Sequence, residues 1–298
     1  NDTHSGVLTP DDFQPVPPGK VFFLVHFNLG NMLTQLGRYG EALNHYTTSL
    51  DINPDYVNNY YQRAQIRYAQ GHYEQAIEDF SQVLQKNPED INALLNRGSA
   101  WNILGDYDQA IADFNQVLLR QPDHGDALFN RGTARLSSGK TDLALADFSR
   151  VLDLEPNDAE ALAYRGIAWS SKGVYDRAQA DFTAANALDP WSADIANSLA
   201  WFLATCPQAD YRNGEQAIIH AQRALALQPA LRMFYLDTLA AAYAETGRFQ
   251  EAITTQENVI RLLEATNAAD ELDEYQQRLD LYRMEKPYRE EPQHIMEE

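Results

Sequence analysis

The chain has 298 residues, 43 acidic and 23 basic, and a formal net charge of −20. That balance argues against nucleic acid, whose binding needs clustered cations to release counterions, and against an anionic membrane surface. It fits either a solvated acidic exterior or steering of a basic partner. Cys206 is the only cysteine, so no internal disulfide forms, and no apolar run reaches the ~20 residues that span a bilayer, so direct membrane insertion is not expected.

Residues 1–20 hold four prolines, two glycines and few apolar groups, the composition of an irregular tail. The chain begins with Asn1 rather than Met, and a periplasmic or exported location after removal of an N-terminal segment is expected ahead of a cytoplasmic one. Val21, Phe22, Phe23, Leu24 and Val25 then open the first helix. The end of a repeat array should show water a polar face, so this run is expected to be covered by the tail, by a partner, or by a second copy in a homodimer through Phe22, Phe23 and Leu24.

From residue 21 to 266 the chain repeats. Pro54, Pro88, Pro122, Pro156 and Pro190 share one spacing. So do Gly37, Gly71, Gly105, Gly139 and Gly173, and Ala42, Ala76, Ala110, Ala144 and Ala178. Tyr46, Phe80, Phe114, Phe148 and Phe182 occupy one aromatic slot. Within one unit, 58–70 suits a helix stopped by Gly71, free to go left-handed. A second helix runs from Tyr73 to Gln85, with Glu74 favourable to its dipole, and Pro88 forbids continuation. Each unit is a helical hairpin that buries its apolar face only by stacking on its neighbours.

A sixth unit keeps Ala217, Ala224 and Pro229 but has a longer turn, 206–214, which either packs down or forms a recognition feature. A seventh carries Gln256 in the aromatic slot. Residues 267–286 place Leu272, Tyr275, Leu279 and Tyr282 on one stripe, as a C-terminal capping helix should. Residues 287–298 are expected to be a frayed tail.

The positions Gly98, Gly105, Tyr107, Ala110, Phe114 and Pro122, with their equivalents, resemble the tetratricopeptide repeat (TPR) motif over roughly 23–266. The resemblance implies an all-α superhelical solenoid of about seven hairpins plus a capping helix, and it says little about function. The stretches 199–207, 236–243 and 282–289 resemble the C-terminal ends of bacterial TPR proteins and imply a bacterial source.

Two further series depart from the common pattern. Arg63, Arg97, Arg131 and Arg165 stand where the family usually has leucine, and Asp79, Asp113, Asp147 and Asp181 stand in the second helices of the same units. Where arginine is absent, at Leu29 and Leu199, histidine replaces the aspartate, at His45 and His220. Such co-occurrence predicts one ion pair per unit, bidentate where geometry permits; an arginine row reserved for a ligand is the alternative.

In TPR arrays the first helices form the concave wall. The Asn28, Gln62, Asn96, Asn130 series falls where similar repeats present an amide ladder to a peptide backbone. A carboxamide can satisfy both an N–H and a C=O whatever the partner's sequence, though such positions also suit a merely solvated face. Phe27, Tyr61, Leu95 and Phe129 neighbour the series, with Asn31, Gln65, Tyr68, Asn92 and Asn102 beside them, and Tyr164 ends it. Family members that clamp a terminal carboxylate need lysines where this chain has Phe27, Tyr61, Asn58 and Asn92, so that ligand is not expected.

No pair of histidines has metal-ligand spacing on one helix, and no phosphate loop or nucleophile motif occurs. No catalytic residue, metal or cofactor is expected. The sequence therefore reads as a non-catalytic scaffold that binds a peptide or protein segment, with a self-assembling structural element as the alternative and an enzyme a distant third.

Overall fold

The computed structural model describes residues 18–265 and 272–291. The expected tail up to residue 17, the start of the capping segment up to 271, and residues from 292 on lie outside the described residues. All regular structure in the described residues is helical. The chain divides into two compact units, one ending at Arg120 and one starting at Gln121.

The first unit holds α1 (Pro18–Gln35), α2 (Tyr39–Ile52), α3 (Val57–Ala69), α4 (Tyr73–Lys86), α5 (Ile91–Ile103) and α6 (Tyr107–Arg120). The second holds α7 (Gly125–Ser137), α8 (Thr141–Leu154), α9 (Ala159–Ser171), α10 (Tyr175–Leu188), α11 (Ala193–Thr205), α12 (Gly214–Leu227), α13 (Arg232–Glu245), α14 (Phe249–Ala265) and α15 (Leu272–Arg283). Within each unit every helix packs on the next, and the first helices of adjacent hairpins also touch, α3 on α5, α7 on α9, α9 on α11 and α11 on α13.

Every hairpin turn among the described residues except the one between α11 and α12 is built the same way. Gly71 takes φ 79°, its N–H reaches Tyr68 O at 3.0 Å, and the His72 N–H reaches Arg67 O at 2.8 Å. These two bonds satisfy carbonyls that the helix leaves without partners. The bond matching that of His72 recurs at Arg38, Asp106, Lys140, Val174 and Arg248. The first helices α5, α9 and α11 start on side-chain caps: Asp90 accepts from Ala93 N–H at 2.9 Å, Asp158 from Ala161 N–H at 2.9 Å, and Ser192 Oγ from Ile195 N–H at 3.3 Å. Each such acceptor satisfies one orphan donor.

In each unit the core is built of aromatic rings laid on small residues. Tyr46, Phe80, Phe114 and Phe148 are wholly buried. Phe114 lies flat against the first helix because Gly98 leaves room: a β-carbon there would sit 2.8 Å from Phe114 Cε1.

Phe23 does not join the exposed apolar run at the start of α1. Its ring packs 5.0 Å from that of Tyr56, and its carbonyl accepts from Ser49 Oγ at 2.6 Å. Ser49 in turn accepts from the buried Asn59 Nδ2 at 2.8 Å. The outward positions of α1 are Phe22, Val25, Leu29 and Met32, with Leu24 beside them and Leu36 just past the helix end.

Within the segment expected to fray, residues 288–290 make defined contacts. The Glu290 N–H donates to Thr205 O at 3.0 Å, and Trp201 Nε1 donates to the Glu290 carboxylate at 2.8 Å. The cause is plain: α11 ends at Thr205, and its last carbonyls need donors from outside the helix.

Candidate functional site

Four arginine–aspartate pairs join the helices of a hairpin. In each, Nε and Nη2 bond the two carboxylate oxygens, at 2.9 and 2.7 Å for Arg63–Asp79 and 2.8 and 2.7 Å for Arg97–Asp113. Arg131–Asp147 spans 3.0 and 2.6 Å, and Arg165–Asp181 2.7 and 2.8 Å. The carboxylates are buried. The structure adds two features invisible in the pairing itself. Arg67 also bonds Asp79 at 2.7 Å and Arg135 bonds Asp147 at 2.6 Å, so alternate carboxylates are held by two cations. Arg63 Nη1 also donates to Thr47, and Arg97 Nη1 to Ser81, on the second helix of the preceding hairpin. Each of these two arginines therefore ties three helices.

Where the arginine is missing the packing changes. His26 and His45 meet through their Nδ1 atoms at 2.9 Å. Leu199 is buried in place of an arginine, and His220 is half-buried with Nδ1 unpartnered. Burial, then nearby Arg223, hold the His220 pKa below its ordinary value.

The amide series lies on the first helices. In the first unit Asn28 is exposed, while Gln62 and Asn96 are half-buried. Asn96 Nδ2 donates to Asn92 O at 2.8 Å and approaches Tyr61 Oη at 3.4 Å. Gln65 Nε2 lies 3.4 Å from the same hydroxyl. Asn31 is engaged, its Oδ1 accepting from Tyr46 Oη at 2.8 Å. Leu95 and Asn102 are half-buried beside them. The aromatic members give part of their surface to packing. Phe27 meets Tyr46 and Tyr56 at 6.0 and 5.0 Å, Tyr61 meets Phe80 at 5.8 Å, and Tyr68 meets Tyr73 at 5.3 Å. In the second unit Asn130 is half-buried, and Phe129 packs on Phe148 at 5.8 Å and on Tyr164 at 5.2 Å.

A hollow of about 290 Å³ opens between α9 and α11. Tyr164 and Ser198, which continue the amide series at its own spacing, stand on its wall with Ala163 and Ile167. Its rim is acidic: Glu160, Asp189 and Asp194 line it. Burial first, then Asp158 and Asp194, push the Glu160 carboxyl above the usual carboxylate range. The series predicts a wall with little charge, and this stretch of it is negatively charged.

The C-terminal end holds a polar cluster that sequence reasoning missed. Arg278 of α15 is buried and bonds Asp237 of α13 at 3.0 Å, and Gln256, also buried, donates to the same oxygen at 2.9 Å. Burial pushes Asp237 up, against the pull of Arg278. The guanidinium lies 4.6 to 5.7 Å from the rings of Tyr275, Tyr288 and Trp201, close enough for cation–π attraction. The one available signal was Gln256 breaking the aromatic slot.

The long turn is packed down. Tyr211 lies against Tyr175 and Phe202 at 5.9 and 6.4 Å. Arg212 donates to Cys206 O and Pro207 O at 2.9 Å and bonds Glu245 at 2.9 Å. Among the described residues no group of three or more His, Cys, Asp or Glu converges as a metal site, and no helix is long and apolar enough to cross a membrane.

Family models described as "Tetratricopeptide repeat" match residues 61–125, 104–159 and 129–193, and one described as "TPR repeat" matches 30–71. The chain belongs to the tetratricopeptide repeat family. A tetratricopeptide repeat protein from Parabacteroides merdae shares the fold at TM-score 0.67 and 16% identity, covering 88% of this chain and 99% of its own. MamA does so at 0.55 and 20%, over 59% and 96%. MamA from Desulfovibrio magneticus RS-1 does so at 0.54 and 19%, over 56% and 95%. The comparison with curated proteins gave no match.

Proposed function

We propose that this chain is a non-catalytic protein-binding scaffold whose first helices take up an extended or helical segment of a partner. The observation that carries this reading is the hollow between α9 and α11. The slot that holds Asn96 in the first unit and Asn130 in the second is there occupied by Tyr164 and Ser198, in a concave wall large enough for side chains of a ligand. Amide and hydroxyl groups in that slot bind a peptide backbone independently of its sequence. Glu160 and Asp194 favour a basic or amide side chain at that point.

The test is titration of a partner recovered from the source cells against Asn96→Ala/Asn130→Ala and against Glu160→Gln. The double variant should weaken binding by about 1–3 kcal/mol, the cost of unsatisfied peptide groups, without lowering thermal stability. Wild-type affinity in both variants refutes the reading.

A second reading is self-association, and a specific feature of α1 favours it. Phe22, Val25, Leu29, Met32 and Leu36 are 57%, 47%, 38%, 59% and 67% exposed. Their alternating three- and four-residue spacing forms one stripe, the pattern that packs against another helix. In later hairpins the positions equivalent to Val25 are Asn59, Ala93, Ala127 and Ala161, all fully buried. Those equivalent to Met32, namely Ile66, Ala100, Ala134 and Ala168, are at most 4% exposed. In a chain of net charge −20, α1 contains no acidic residue, so two copies can meet there without opposing carboxylates. A homodimer through α1 is the form this reading takes.

A further inference from the structure

Three consecutive side chains past α15 fit the C-terminal end of α11 as a ligand fits a site. The Tyr288 ring lies 5.8 Å from Trp201. Arg289 Nη2 pairs with Glu245 Oε2 at 2.5 Å, and its Nη1 points to Ala204 O at 3.4 Å. The Glu290 N–H donates to Thr205 O, and its carboxylate accepts from Trp201 Nε1. Ala204 and Thr205 carry carbonyls that α11 cannot satisfy itself, so this helix end calls for an outside chain that brings donors.

Two observations distinguish this contact from an ordinary strap. The segment leaves α15 through Glu285 at φ 55°, the one non-glycine residue with positive φ among those described; the Glu285 and Lys286 N–H groups close the helix on Tyr282 O and Leu281 O as at the glycine turns, but without the conformational freedom of glycine. Beyond the Glu290 carboxylate a hollow of about 200 Å³, lined by Ile167, Ser170, Ser171, Asn197 and Ser198, stays open. Asn197 Oδ1 is buried with no hydrogen-bond partner. A buried acceptor beside an unfilled hollow calls for a donor that the chain's own segment does not supply.

We propose that this face of α11 and α13 is a docking site for an extended segment of a partner protein with an aromatic, a cationic and an acidic residue in succession, followed by a hydrogen-bond donor for Asn197. Residues 288–290 fill it in the free chain. The site shares Ile167 and Ser198 with the hollow that carries the reading above, but its test turns on Trp201, Asn197 and residues 288–290, which the variants of that reading leave untouched. The built-in segment acts at the high effective concentration of a tethered ligand, so a partner binds only by outcompeting it, and occupancy of the site reports the partner.

The probe is a fluorescein-labelled synthetic peptide with the sequence of residues 284–298, titrated into the full chain. The full-length variant Tyr288→Ala/Arg289→Ala/Glu290→Ala should bind it at least about tenfold more tightly than the wild type, because the tethered competitor is gone. Adding Trp201→Ala to that variant should abolish binding. A peptide with Asn or Gln in place of Glu291 should bind the variant more tightly and lose that gain in Asn197→Ala. Equal, absent or Trp201-independent binding overturns the proposal. So does a wild-type dimer held by exchanged C-terminal segments, which would make the occupant a second copy. Hydrogen exchange on the wild type covers the case in which the variant folds poorly. The Glu290 amide should exchange much faster than the amides in the middle of α11, and equal protection would make the segment a fixed part of the fold and refute the site.

Discussion

Arg97 and Asp113, sixteen residues apart on α5 and α6, face each other through two parallel hydrogen bonds of 2.8 and 2.7 Å, with Asp113 buried and Arg97 donating a third bond to Ser81. The pair couples three helices from two hairpins. Its worth lies less in net attraction, which desolvation largely offsets, than in the cost of breaking it.

Arg97→Leu alone should destabilise the chain by about 1–4 kcal/mol, because it leaves a buried carboxylate without its cation. Asp113→His added to it reproduces the Leu199 and His220 combination and should recover part of the loss. Denaturant unfolding of the wild type, both single variants and the double variant completes the cycle. Additive effects would show that the two side chains are not energetically coupled.

Gly98→Ala places a β-carbon against Phe114, yet the hairpin of α3 and α4 carries Ala64 and Phe80 in the same two slots, both fully buried. The ring shift is therefore available, and the helix propensity of alanine offsets about 1 kcal/mol of the strain. Gly98→Ala should stay within about 1 kcal/mol of the wild type, whereas Gly98→Val, which overpacks the slot, should lose about 2–3 kcal/mol. Chemical denaturation of both variants distinguishes the two effects.

The depressed pKa of His220 makes stability depend on acid. Its charged form is less favourable folded than unfolded, so the contribution of the neutral ring is complete above the unfolded value of about 6.5 and is lost as pH falls from there towards the folded value. Lowering the pH from about 7.5 to about 5.5 should reduce the Tm of the wild type more than that of His220→Leu. Parallel melts at the two pH values give the difference, and equal shifts would show that His220 does not titrate with folding.

Light scattering on a size-exclusion column tests the α1 stripe. Met32→Glu puts a charge at its centre, at a position 59% exposed, so it leaves the monomer's own packing intact. A wild-type dimer should become monomeric with little change in secondary structure. A wild type that is monomeric at all concentrations refutes self-association through this helix.

The one-dimensional chain determined the all-α class, the hairpin period, the glycine turns, the buried aromatic slot and the arginine–aspartate partners. It could do so because in a repeat protein the decisive contacts recur at fixed separations, such as the sixteen residues between Arg97 and Asp113. Contacts made once leave no such trace. Only the tertiary structure joined Arg278 to Asp237 across 41 residues and Trp201 to Glu290 across 89. It also showed that Phe27, Tyr61 and Phe129 pack against neighbouring rings, that Phe23 packs on Tyr56 while Val25 and Met32 are exposed, and that residues 288–290 bond the end of α11 and Glu245. Each of these turns on which face of a helix meets a neighbour and on which buried carbonyl or carboxylate still lacks a partner. The hydrophobic effect that sets the repeat is nearly blind to direction; hydrogen bonds and ring contacts depend on it, and direction exists only once the helices are stacked.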